Sequence, residues 1–114
     1  MERSAGYSRA VIQGDFAHVA GTTGYDYDSM QMPADIREQT RNCLATIAQA
    51  LHDGGFTLEQ VVRVNYYVTD RANVPAVFEE VGKVFADIRP AATMVICDLI
   101  DPAMLIEIEA TAQR

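Results

Sequence analysis

The spacing of apolar side chains alternates along this chain between two residues and about 3.6, and that alternation confines it to a layered architecture of helices on a sheet. Tyr7 to Ile12 and Phe16 to Thr22 are short β-rich runs separated by Gln13-Gly14-Asp15, a turn-forming cluster that predicts a hairpin. Gly21 to Gly24, followed by Tyr25-Asp26-Tyr27-Asp28-Ser29, reads as a surface loop. From Pro33 or Asp35 to His52, Ile36, Cys43, Leu44, Ile47 and Leu51 recur at helical spacing, with Arg37, Glu38, Arg41 and Gln49 off that face, and Gly54-Gly55 stops the run. Gln60 to Asp70 returns to period two, with Val62, Val64, Tyr66 and Val68 on one side and Arg63, Asn65, Tyr67 and Thr69 on the other. A second helix is predicted from Asn73 to Ile88. Its stripe is Val74, Val77, Phe78, Val81 and Phe85, with Asn73 as cap and Pro75 in the first turn. Two strands, Ala91 to Leu99 and Met104 to Ala112, close the sequence around Asp101-Pro102. The order is ββαβαββ, and the expected fold is mixed α/β (α+β). Residues 1–114 form a single domain whose two helices cover one face of one sheet.

That arrangement leaves apolar surface unaccounted for. Val95, Ile96, Cys97, Leu99, Leu105, Ile106 and Ile108 supply apolar side chains to both faces of the last strands, and helices on one side reach only one of them. A cyclic homo-oligomer that packs sheet against sheet covers the other, and a site at the subunit boundary follows. With 49% hydrophobic residues, the chain can bury a core without disulfide or metal support. Cys43 and Cys97 lack any metal-ligand or redox spacing and predict reduced thiols in a cytoplasmic protein. No basic-then-apolar leader and no membrane-length apolar run is present. Sixteen acidic against nine basic side chains give a net charge of −7, which repels phosphate backbones and anionic lipid. Nucleic acid and membrane are therefore not expected partners.

Few residues carry a chemical signal of their own. Ile106-Glu107-Ile108-Glu109-Ala110 inserts two carboxylates into an apolar strand, and the residues alone allow either solvated strand glutamates or a chemical acid. Glu109 is assigned the structural or surface role. His18 has no Ser, Cys or Asp at triad spacing, and His52 sits at a helix C-terminus, where the dipole favours its cation. Cys97 has no basic neighbour to form a thiolate. The Tyr25-Asp26-Tyr27-Asp28 run lacks the terminal bidentate Glu of a calcium loop and reads as the rim of a cleft. No metal site is expected.

Several stretches, in their order and spacing, resemble the RidA (YjgF, endoribonuclease L-PSP-like) family. They are Tyr7-Ser8-Arg9-Ala10, Ala20-Gly21-Thr22, Gln39-Thr40, Gly55, Val61 to Val64 with Thr69-Asp70, Arg89-Pro90-Ala91, and Ile106 to Ala112. The resemblance implies a chorismate-mutase-like fold, a homotrimer, small-molecule clefts between subunits, and hydrolysis of enamines and imines such as 2-aminoacrylate with no metal or organic cofactor. It places Tyr7 beside the cleft, Gly21 where backbone nears the ligand, and Glu107 at the acid that orients or activates water. The family's Pro-Ala-Arg motif appears here as Pro90-Ala91-Ala92, so the arginine that grips the substrate carboxylate is absent. Loss of a bidentate guanidinium partner typically removes about 2–5 kcal/mol in a buried interface. Arg89 is of opposite strand parity and is assigned to the surface. Thr22 and Phe78 replace the family's usual Gln and Asn. Ala92 and Met94 then offer an apolar cleft wall, which favours a neutral ligand and the protonated form of Glu107.

Three function classes follow: a cofactor-free hydrolase of an imine or enamine that need not carry a carboxylate, a non-catalytic metabolite-binding or regulatory protein, and the ribonuclease activity sometimes attached to the family. Acidic charge and the lack of a basic stripe argue against the third.

Overall fold

A computed structural model describes Ser4 and residues 6–114. The elements follow the order β1 (Ala10–Gln13), β2 (Phe16–Thr23), α1 (Ile36–Asp53), β3 (Val61–Val68), α2 (Val74–Phe85), β4 (Ala91–Ile96) and β5 (Ile106–Gln113), with short 3₁₀ turns at Leu58–Gln60 and Arg71–Asn73. They build one five-stranded sheet in the order β1-β2-β5-β3-β4. All pairs are antiparallel except β3 with β4. The final two strands are neighbours in sequence but not in the sheet, because β5 inserts between β2 and β3.

Both helices pack on one face. Ala17 and Val19 of β2, Val61, Val64, Tyr66 and Val68 of β3, and Ile106, Ile108, Ala110 and Ala112 of β5 join Cys43, Leu44, Ile47 and Leu51 of α1 and Val77, Val81 and Phe85 of α2 in one core. Burial of those side chains is the main source of stability, since each large aliphatic residue contributes about 1.5–3 kcal/mol. Helix α1 starts where Asp35 accepts a hydrogen bond from Glu38 N and ends at Gly54, whose N–H returns to Ala50 O. Buried Gln39 ties α1 to the approach to β5. Its Nε2 donates to Pro33 O (2.7 Å) and Ala103 O (2.9 Å), and its Oε1 accepts from Leu105 N (2.9 Å). Among the described residues, no helix is long and apolar enough to cross a membrane.

Five expectations from the sequence change. Strand β1 starts at Ala10 rather than Tyr7, and β2 continues through Thr23 rather than giving way to a loop at Gly21. A register shift between Val61 and Arg63 turns Val62 outward, leaving Val61 in the core where strict alternation put Val62. Asn73 makes no side-chain cap bond; Asp70 instead accepts from Ala72 N at the preceding 3₁₀ turn. Phe78 is 56% exposed, and the helix turns Glu80 inward beside Val77 and Val81.

Candidate functional site

The face of the sheet away from the helices carries the polar side chains of β3 and β5. In β5, Ile106, Ile108, Ala110 and Ala112 are buried, so alternation turns Glu107, Glu109 and Thr111 to the open side. Register sets Glu107 beside Tyr67, and Glu109 beside Asn65. Tyr67 OH donates to Glu109 Oε1 at 2.7 Å, and Asn65 Nδ2 donates to the same oxygen at 3.0 Å. At the edge of this row, Arg63 Nη2 donates to Thr93 Oγ1 at 2.6 Å.

Glu107 points the other way, over β2. A register shift between Val19 and Thr22 brings Gly21 beneath its side chain, and a Cβ built on Gly21 would overlap Glu107 Oε2. The absence of a side chain at position 21 is what lets the carboxyl lie on the strand. Burial against this surface pushes the Glu107 carboxyl above its ordinary range. The neighbouring Glu109 charge adds to the shift and Arg9 opposes it. Arg9 is held at the same place: Nη1 donates to Gly21 O (3.3 Å) and Thr22 Oγ1 (3.0 Å), and Nη2 donates to Tyr27 OH (3.1 Å). On α1, burial raises the Cys43 thiol far above its usual range, leaving an inert thiol whose Sγ contacts Thr22 O at 3.2 Å.

Gly21 and Glu107 are thus brought together, whereas Tyr7, Ala92 and Met94 are not joined to them within one chain. Tyr7 lies ahead of β1, 39% exposed, and no described hydrogen bond links it to Glu107. Ala92 and Met94 pair with Val64 and Tyr66, whose side chains enter the helix-covered core, and Met94 packs on that core. They occupy the opposite face of the sheet from Glu107. A cleft containing all of them requires a second copy of the chain.

Arg9, Tyr67 and Asn65 escaped the sequence reading of the site. Nothing in the period-two pattern of β3 separates a polar residue that holds Glu109 from one that is merely solvated. Tyr25 to Asp28 line a groove of about 610 Å³, shared with Arg9 and with Asn42, Thr46 and Gln49 of α1. Among the described residues, no cluster of three His, Cys, Asp or Glu side chains is arranged to hold a metal ion.

A sequence-family profile described as Endoribonuclease L-PSP matches residues 1–114. Rv2704 of Mycobacterium tuberculosis, a member of the YjgF/YER057c/UK114 family, superposes with a TM-score of 0.90 at 44% identity, over 99% of this chain and 91% of that one. The RutC family protein PH0854 of Pyrococcus horikoshii is 31% identical over 109 residues, 95% of this chain and 86% of its own. TdcF of E. coli, solved with bound serine, shares the fold with a TM-score of 0.88 at 21% identity, over 95% of this chain and 87% of that one.

Proposed function

The chain belongs to the RidA/YjgF (endoribonuclease L-PSP) family, and from that premise we propose that it is a cofactor-free hydrolase of small imines or enamines. In this reading Glu107 orients and activates the water in a cleft between subunits of a homotrimer. The observation that carries it is the Glu107 carboxyl laid over Gly21, partly desolvated, with its proton affinity raised by burial. A carboxylate of that kind is a better general base than a solvated one. The water oxygen bonds to the imine carbon while the C=N electron pair moves to nitrogen. Glu107 takes a proton from the water and returns it to that nitrogen. The carbinolamine then collapses: its hydroxyl proton passes to nitrogen as the C–O double bond forms and the C–N bond breaks, giving ammonia and a carbonyl compound. A small-ligand cleft accords with the serine bound to TdcF. The two free thiols, Cys43 and Cys97, fit a cytoplasmic setting.

Ala92 limits the substrate. A guanidinium at that position would bind a substrate carboxylate through two charge-assisted hydrogen bonds, and a methyl group makes neither. The same absence favours a second reading, a metabolite-binding protein that keeps the cleft without the chemistry. The two separate in one assay. With 2-aminoacrylate generated in situ and pyruvate followed, we expect weak or no acceleration by the native chain and a measurable gain for Ala92→Arg. Carboxylate-free imines should be hydrolysed, and Glu107→Ala should abolish that turnover. Robust native turnover that survives Glu107→Ala would remove Glu107 from the chemistry. Binding of neutral imines without turnover would select the second reading.

A further inference from the structure

We propose that Glu109, clamped by Asn65 and Tyr67, is a positioning residue that sets the basicity of Glu107 from one strand repeat away. The assignment deepens the hydrolase reading and rests on it for its catalytic consequence. It starts from placement. Residues two apart in a strand share a face and lie about 6–7 Å apart along it, within range of a strong Coulomb interaction where solvent is partly excluded. A surface glutamate at that spacing would swing into water and weaken the coupling. Glu109 is prevented from doing so because Oε1 accepts from both Asn65 Nδ2 (3.0 Å) and Tyr67 OH (2.7 Å).

The clamp is built across strands. Asn65 is the direct register partner of Glu109, whereas Tyr67 is the partner of Glu107 and reaches diagonally along β3 to the other carboxylate. One phenol thus lies beside the Glu107 position while fixing the neighbouring acid. Its own proton is held more tightly because of that bond to Glu109. On the far side, Gly21 leaves the Glu107 carboxyl lying on β2.

The charged and titratable groups around Glu107 come from four directions: Glu109 on its own strand, Tyr67 on β3, Arg9 ahead of β1, and the Cys43 thiol of α1. Arg9 pulls Glu107 toward the ionised form and Glu109 pushes it toward the protonated form, and the push is the larger. Tyr67 and the inert Cys43 thiol remain neutral near neutral pH and add no fixed charge. Glu109 is therefore the charge whose removal should be felt.

The experiment is a carbon-13 titration of the glutamate carboxyls in the native chain, Glu109→Gln and Tyr67→Phe. Glutamine keeps an oxygen acceptor for both donors, so the fold is expected to survive the first substitution. The Glu107 midpoint should move to lower pH in Glu109→Gln, and by less in the same direction in Tyr67→Phe, which frees the Glu109 carboxylate to leave the pair. The acid limb of imine hydrolysis should move with it. A Glu107 midpoint unchanged or raised in a folded Glu109→Gln protein overturns the assignment. If that variant does not fold, an unchanged midpoint in Tyr67→Phe overturns it instead. The titration needs no substrate, so a shifted midpoint in a protein that hydrolyses no imine upholds the Glu109 role while rejecting the hydrolase reading.

Discussion

At position 21 a carboxylate occupies the space where any other residue would place its Cβ, and at position 24 the same space is filled by the backbone of a helix. The two glycines look alike in the sequence but differ in what would have to yield. A methyl group on Gly21 meets the end of the flexible Glu107 side chain, whereas on Gly24 it meets Gln39 Cβ at 2.5 Å and Gln39 Cα at 2.6 Å. Gly21→Ala should therefore fold with little loss of stability while displacing the Glu107 carboxyl. Imine hydrolysis is expected to fall on the order of 10²-fold, as for other small misplacements of a reacting group. Gly24→Ala should lose about 1–3 kcal/mol, because α1 is packed and cannot retreat. Urea denaturation paired with the hydrolysis assay separates the two, and equal stability losses would contradict the contact geometry.

Among the elements, α2 departs furthest from its sequence pattern. Phe78 belongs to the helical stripe by spacing, yet it faces outward, and Glu80 is buried at the joint with α1. The reason lies on the other helix. Arg37 and Arg41, one turn apart, each donate to a Glu80 oxygen at 3.0 Å, and Lys83 adds a third bond at 3.1 Å. Periodicity detects an apolar face but not a carboxylate that becomes buriable because a neighbouring helix brings guanidinium groups to meet it. Lys83, followed by Arg41, holds the Glu80 carboxyl down, from 4.5 to about 2. A depressed folded-state pKa contributes stability that is fully present above 4.5 and is lost as pH falls toward 2. Glu80→Gln should thus melt below the native protein at pH 7, with the gap closing between pH 4.5 and pH 2. A gap constant across that window in thermal scans would show that Glu80 is not the titrating group.

In the whole molecule, the helices protect one face of the sheet and leave Val62 of β3 and Val95 of the edge strand β4 each 43% exposed. In the proposed trimer these faces would pack together and be withdrawn from water. Light scattering should therefore give three times the 12.5 kDa of the chain. A stable monomer would leave the proposed cleft without its second wall. The sequence by itself determined the element order and the two helices on one face, because period, turn residues and strand parity are local properties that survive folding. Tertiary structure alone decided that β5 enters between β2 and β3, that Val62 turns out at a register shift, that Glu80 is buried, and that Asn65 and Tyr67 grip Glu109. Each of those depends on which strand or helix becomes a neighbour, and neighbour relations arise only when distant segments compete for the same core and the same hydrogen-bond partners.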